Sequence, residues 1–274
     1  MRFNIVHVQP PGIDATMGHY DIARLLHFSF ESLGREVTLR INKIDPGAIN
    51  IIVGYERLAS IPPASLACCI PYQLEQLGTR EDSIPENIRQ IYRDAKEVWD
   101  YDPHNIEILN GLGIPNVKFL PLAYHPKLAA IPRTLEDIDV LFYGIMTDRR
   151  RAIVEELRPK VRTLALEYVY GQERDKWIAR SRIVLNIHQY ETQLAEQVRV
   201  SYLLNNAKCV VSEKSQWDPL AQWCAVTPYE GLVQTCLTLV ADNARREGIV
   251  TAAREGYGRT SMVENLRKVL EAQG

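Results

Sequence analysis

Ser181-Arg182-Ile183-Val184-Leu185-Asn186-Ile187-His188-Gln189-Tyr190-Glu191-Thr192-Gln193-Leu194-Ala195-Glu196-Gln197-Val198-Arg199-Val200-Ser201-Tyr202-Leu203-Leu204-Asn205-Asn206-Ala207-Lys208-Cys209-Val210-Val211-Ser212-Glu213 decides the fold class. It reads as strand, polar loop, helix, strand. The apolar run Ile183–Ile187 breaks into His188-Gln189-Tyr190-Glu191, which cannot all be core. Residues 192–206 then carry apolar positions nearly all round a helix, the mark of a buried one. Cys209-Val210-Val211 is a second buried strand. In an open parallel sheet ligands bind outside the carboxyl ends of the strands. Here those ends carry His188 and Ser212-Glu213.

The same alternation extends in both directions, so the fold class is α/β with doubly wound sheets. At the start, strand Phe3–Val8 leads through a Pro- and Gly-rich loop into a helix over 19–33, ended by Gly34, and a strand over 36–41. Further strands are expected at Ile49–Val53, followed by Gly54-Tyr55-Glu56, and at Ser65–Ile70, the latter cut off at Pro71. Others are expected at Glu97–Tyr101 and Val117–Leu120, with helices over 84–94 and 103–112 between them. Tyr124 to Arg133 holds two prolines and little periodicity and reads as a linker. The pattern then restarts: strand Ile138–Tyr143, helix Arg149–Leu157 with Asp148 as N-cap, strand Leu164–Tyr170 and helix Gln172–Ala179. The tail from Tyr229 is helical, with Gly248, Gly256 and Gly258 as expected breaks. Two Rossmann-like domains are therefore expected, 1–126 and 134–274, facing a central cleft, with the last helix able to pack back on the first.

Bulk properties narrow the function. The chain has 274 residues, 46% apolar and 24% charged, with a net charge of −2. Without a basic excess, no nucleic-acid partner is expected. No apolar run is long enough for a membrane span, and the N-terminus lacks the apolar core of a signal peptide. Five cysteines without metal-ligand spacing read as buried, reduced thiols of a cytoplasmic protein.

Several positions are candidates for chemistry. Glu196 and Arg199, three apart, can pair on a helix, or Arg199 and the helix N-terminus can face an anion such as a diphosphate. His188 ends a strand among the polar groups of Asn186, Gln189 and Tyr190, and reads either as a satisfied polar residue or as a ligand contact. Gly144 follows a strand and precedes Arg149-Arg150-Arg151. The spacing is neither a dinucleotide fingerprint nor a P-loop, yet a glycine there allows close approach to the backbone. Three arginines at a helix start oppose the helix dipole, so helix stability does not explain them. In the first half, Asp14 and His19, around Gly18, are the candidates for acid–base work, with Glu75 a rival base. Asp100-Tyr101-Asp102 reads either as a strand-end turn with Asp102 capping the next helix or as a divalent-metal pair on a nucleotide-sugar.

Taken as an ordered set, Asp139-Val140-Leu141-Phe142-Tyr143-Gly144, Arg149-Arg150, Ser181–Ile187 and Arg199-Val200-Ser201-Tyr202-Leu203-Leu204 up to Cys209–Glu213 resemble the carboxyl-terminal domain of GT-B fold glycosyltransferases. The likeness is greatest to the bacterial group related to spore-coat maturation enzymes. It covers about residues 138–270; the first half matches in pattern only, at Gly18 and at Leu33-Gly34-Arg35-Glu36-Val37-Thr38. The resemblance implies a nucleotide-sugar donor on the second domain and a glycan, lipid-linked or protein acceptor mainly on the first, with no cofactor and no metal. It places Gly144 and Arg149 or Arg150 near the diphosphate and Tyr170 near the base. It would also place His188 and the start of the 192–206 helix near the sugar and phosphates, with Arg199 supporting, and put Glu196 among the donor-side residues. Where many such enzymes place a ribose-binding glutamate, three residues after the arginine, this chain has Tyr202, which offers one hydroxyl. Glu196 or Glu213 could substitute for it. The pattern therefore also fits a GT-B-like module that binds nucleotide or glycan without turnover, or a metal-dependent transferase using Asp100 and Asp102.

Overall fold

The computed structural model describes residues 2–10, 12, 14–54, 63–78, 84–189 and 194–272, with side chains left undescribed at 14–16 and 63–65. The chain forms two compact units, Met1–His125 with Ser261–Gly274, and Pro126–Thr260.

Among the described residues the first unit holds a parallel sheet of β1 (Phe3–His7), β2 (Val37–Ile41), β3 (Ile49–Val53), β4 (Cys69–Gln73), β5 (Val98–Asp100) and β6 (Val117–Phe119), in the order β2-β1-β3-β4-β5-β6. β1, β4 and β5 are buried along their whole length, as strands covered on both faces must be. Helices α1 (Tyr20–Ser32), α2 (Glu86–Asp94) and α3 (Pro103–Gly111) connect them. In α1, Ile22, Leu25, Leu26 and Phe30 recur at helical spacing and are fully buried. The helix ends where Gly34 takes φ +66° and the Arg35 N–H reaches back to the Phe30 carbonyl at 3.0 Å. The last helix, α9 (Met262–Glu271), belongs to this unit: the Met262 N–H donates to the Tyr124 carbonyl and Asn265 Nδ2 to that of Pro121.

The second unit holds β7 (Ile138–Tyr143), β8 (Thr163–Leu166), β9 (Ser181–Asn186), β10 (Cys209–Glu213) and β11 (Ala225–Thr227), parallel, in the order β11-β10-β9-β7-β8. Its helices are α4 (Asp148–Leu157), α5 (Gly171–Ala179), α6 (Gln197–Asn205), α7 (Leu232–Ala241) and α8 (Asn243–Tyr257). Numbered within each unit, the sheets run 2-1-3-4-5-6 and 2-1-3-4-5, so each has a switch point between its first and third strands. In the second unit this lies between the carboxyl ends of β7 and β9. Among the described residues no helix is long and apolar enough to cross a membrane.

Several elements differ from the sequence reading. The fourth strand is Cys69–Gln73 and runs through Pro71, because pairing with β5 starts only at Tyr72, past the residue lacking an N–H. The stretch 63–68 before it is a 3-10 turn. Thr147, not Asp148, caps α4, its hydroxyl accepting from the Arg150 N–H. β8 stops at Leu166 because β7, its one neighbour among the described residues, ends at Tyr143, and Tyr168 turns the chain at φ +56°. The Ser181 strand is followed by a helix that begins at Gln197 rather than 192, since Glu196 has non-helical backbone; Tyr190, Glu191 and Thr192 lie outside the described residues, as do Tyr55 and Glu56. Neither Gly248 nor Gly256 breaks α8. Gly256 is needed there for packing: a Cβ would stand 2.2 Å from Trp223 Nε1.

All five cysteines are free thiols, and burial pushes those of Cys209 and Cys236 up to about 12, so neither is a nucleophile near neutral pH.

Asp100 and Asp102 have structural duties. Asp102 caps α3, accepting from the His104 N–H at 2.9 Å. Asp100 is fully buried; its Oδ1 accepts from the Asp102 N–H at 2.8 Å and from Asn105 Nδ2 at 3.2 Å, while its Oδ2 has no hydrogen-bond partner among the described residues. Burial holds its pKa well above the usual carboxylate range, against hydrogen bonds from Asp102, Asn105 and Gln73. A carboxyl whose folded pKa is raised binds its proton more tightly folded than unfolded. Its stability contribution is full below the unfolded pKa of ~4 and is lost as pH rises toward the folded value. Asp100→Asn removes that loss, so the stability of the variant relative to the parent is expected to rise between pH 4 and pH 8 in urea unfolding. A difference independent of pH would contradict a protonated Asp100.

Candidate active site

At the switch point of the second unit, the strands deliver the polar groups. β7 ends at Tyr143 and the chain turns at Gly144, whose φ of +136° is one that L side chains rarely adopt. A Cβ on Gly144 would stand 2.6 Å from Arg199 Nη2. The glycine thus serves both the turn and the seating of Arg199 directly on the backbone. β9 ends at Asn186, and its Oδ1 accepts from Arg199 Nη1 at 3.2 Å while its Nδ2 reaches Ser212 Oγ at 3.1 Å. α6 starts one residue beyond Glu196, and Arg199 sits in its first turn, over the Tyr143 ring at 5.3 Å.

The three arginines have different fates. Arg150 is 1% exposed and fully engaged. Its Nε and Nη2 donate to the Ile187 carbonyl (3.0 and 2.8 Å), its Nη1 to that of Ile145 (2.9 Å) and its Nη2 to Glu196 Oε1 (2.6 Å). Burial, then repulsion from Arg199 and Arg149, lowers its pKa to about 10 against the pull of Glu196, and it remains a cation at neutral pH. Arg149 forks onto Glu213, with Nη1 to Oε2 at 2.6 Å and Nη2 to Oε1, and lies 4.1 Å over the Tyr229 ring. Among the described residues Arg199 makes a 3.2 Å bond to Asn186 and a 3.4 Å contact with Glu196 Oε2, the pairing expected from their spacing. Its side chain keeps 18% exposure. Among the described residues three guanidiniums face the two carboxylates Glu196 and Glu213, an excess of one positive charge. Arg199 is the cation whose hydrogen-bonding capacity the protein uses least.

His188 is buried beside the same group. Its N–H donates to Glu213 Oε2 at 3.0 Å, and its ring Nε2 lies 3.3 Å from the Lys214 carbonyl and 3.2 Å from Ser215 Oγ. The ring Nδ1 has no hydrogen-bond partner among the described residues. The structure therefore gathers Gly144, Arg149, Arg150, Asn186, His188, Glu196 and Arg199, and adds Glu213 as their second carboxylate. Glu213 ends the strand beside β9, the strand-end position that places it with His188 in the sequence.

Tyr202 is elsewhere. Its hydroxyl donates to Asp175 Oδ2 at 2.9 Å and the Arg174 guanidinium lies 4.1 Å over its ring, so it packs α6 against α5. Tyr170 is the N-cap residue of α5, past the end of the edge strand β8.

In the first unit, Gly18 and His19 end a 3-10 turn, Asp14–His19, that leads into α1. The Asp14 side chain lies outside the described residues. His19 Nε2 stands 3.8 Å from Glu75 Oε1, so two residues read as rivals are neighbours. The Glu75 backbone is fixed from below: Gln73 accepts from its N–H (2.6 Å) and donates to its carbonyl (2.7 Å), and Asn105 donates to the same carbonyl (3.0 Å). Among the described residues no group of three acidic, histidine or cysteine side chains is arranged to hold a metal ion.

No family model matches the chain. Two relatives from Acanthamoeba polyphaga mimivirus are similar in sequence: the uncharacterized protein L140, 28% identical over 184 residues, and the uncharacterized protein L138, 30% identical over 174. The matches cover 61% and 59% of this chain, but 59% and 18% of those proteins. Among solved structures, AviGT4, a glycosyltransferase involved in avilamycin A biosynthesis, superimposes with a TM-score of 0.56 at 12% identity, over 98% of this chain and 97% of its own. TarM gives 0.55 at 13% identity over 94% of this chain and 57% of its own. The pneumococcal O-GlcNAc transferase GtfA, in complex with UDP and GlcNAc, gives 0.52 at 9% over 92% and 60%. The fold is that of the GT-B glycosyltransferases. At these identities the likeness speaks for the fold, two Rossmann-like parallel-sheet domains.

Proposed function

We propose that the protein is a glycosyltransferase that moves a sugar from a nucleoside-diphosphate donor, held by the second unit, to an acceptor hydroxyl on a glycan, lipid-linked or protein acceptor, held mainly by the first. The observation that carries this reading is the cluster at the β7/β9 switch point, where Arg199 lies against the backbone of Gly144 and the charges of the described residues leave one cation over. A guanidinium with spare donors beside a side-chain-free backbone suits a diphosphate. Arg199 would bind the diphosphate and stabilise the charge that develops on it as the bond to the sugar breaks. Arg149 and Arg150 would act through Glu213 and Glu196, holding the frame. In an inverting transfer His19 takes the proton as the acceptor oxygen forms its bond to the anomeric carbon and the nucleoside diphosphate departs, with Glu75 orienting the imidazole. The reaction is proposed to need no metal, and the spore-coat-maturation group is the family we propose.

The second reading, a binding module without turnover, is favoured by Tyr202, which stands where a ribose-binding glutamate is common and is committed to Asp175. Turnover decides between them. Incubated with nucleotide-sugars in excess EDTA, the protein is expected to release nucleoside diphosphate by hydrolysis or transfer. Binding without release would favour the module; release abolished by EDTA would favour the metal-dependent alternative.

A further inference from the structure

We propose that the second unit carries a second ligand site, for a small organic phosphate, at the amino-terminal end of its sheet. The inference stands apart from the transferase reading, because the strands are parallel and the candidate active site lies at their carboxyl ends. Here Arg182, the second residue of β9, and Cys209, the first of β10, line a cavity of about 550 Å³. That volume falls in the range of small-molecule sites. Segment 131–136 forms one wall and the start of α8 another. The segment is tied in place: the Ile131 N–H donates to Asn206 Oδ1 at 2.9 Å, and Lys208 Nζ pairs with Glu136 at 2.9 Å.

The lining has a strong charge bias. Arg133, Arg182, Lys208, Arg246 and Arg254 face it, against Glu136 and Glu247, an excess of three positive charges. Three of these cations are committed to the protein. Arg182 pairs with Asp139 at 2.8 Å, Lys208 with Glu136, and the buried Arg246 donates to the Leu239 carbonyl at 2.7 Å and to Asn243. Arg133 and Arg254 have no hydrogen-bond or ion-pair partner among the described residues, and both are exposed. Two uncommitted guanidinium forks on one cavity suit a dianionic phosphate better than a single carboxylate. Ala179, Val240 and Val250 supply apolar surface beside the charges. This favours a phosphate borne on a partly apolar body over inorganic phosphate.

Calorimetric titration with phenyl phosphate, inorganic phosphate and benzoate tests the site. Phenyl phosphate is expected to bind saturably and more tightly than either of the others. Charge-assisted hydrogen bonds set the expected loss at about tenfold or more in the double variant Arg133→Gln/Arg254→Gln. Both exposed arginines lie outside the packed core, so the double variant is expected to fold as the parent does. Unchanged binding in the double variant would overturn the proposal. So would absence of saturable binding. Benzoate binding as tightly as phenyl phosphate would overturn the phosphate assignment, and inorganic phosphate doing so would overturn the organic one.

Discussion

Arg150→Ala is expected to destabilise the second unit by about 3–5 kcal/mol, the usual cost of removing one partner of a buried ion pair. The side chain is 1% exposed and makes four hydrogen bonds, to the carbonyls of Ile145 and Ile187 and to Glu196. Its loss leaves both carbonyls unpaired by that group and Glu196 facing Arg199 alone. Lysine reproduces the charge but not the fork, so Arg150→Lys is expected to recover only part of the loss. Urea unfolding measures it. A loss below about 1 kcal/mol would show that the network repacks or rehydrates, and that Arg150 is not the structural centre of the site.

His19→Ala is expected to lower kcat about 10²–10⁴-fold, the usual contribution of a positioned general base. His19 and the arginine cluster belong to different units, so nucleotide affinity should not change. That split separates a base from a residue that merely supports the fold. Glu75→Gln keeps the shape and removes the charge 3.8 Å from the imidazole, and a smaller loss in kcat is expected. A His19→Ala protein with parental kcat would move the base elsewhere, first to Asp14.

Much of the fold was legible because buried parallel strands are short apolar runs with abrupt polar ends. Ile138–Tyr143 and Ile49–Val53 are found where they were read. The failures have local causes. Pro71 reads as a stop, yet it stands in a strand before its second ladder begins. Gly256 reads as a break, yet Trp223 needs its missing side chain. β11 is three residues long and half-exposed, too little for a periodicity signal.

The site was legible as a set of types at strand ends, not as a division of labour. Arg149, Arg150 and Arg199 are equivalent in sequence. Which of them keeps donors free depends on Glu196 and Glu213, brought together only by the switch in strand order. Likewise, the sequence leaves Tyr202 opposite a ribose, whereas α5 supplies Asp175 as its partner.

The central claim is that the β7/β9 switch point binds a nucleoside diphosphate through Arg199 against Gly144. Calorimetric titration of UDP, GDP, ADP and CMP into the parent and into Gly144→Ala tests it most directly. In Gly144→Ala the new Cβ would fall 2.6 Å from Arg199 Nη2 at a backbone φ of +136°, which displaces the guanidinium without changing any charge. The expected result is saturable binding of at least one diphosphate to the parent, weakened about tenfold or more in the variant. No binding of any of the four, or equal affinity in parent and variant, would contradict the assignment.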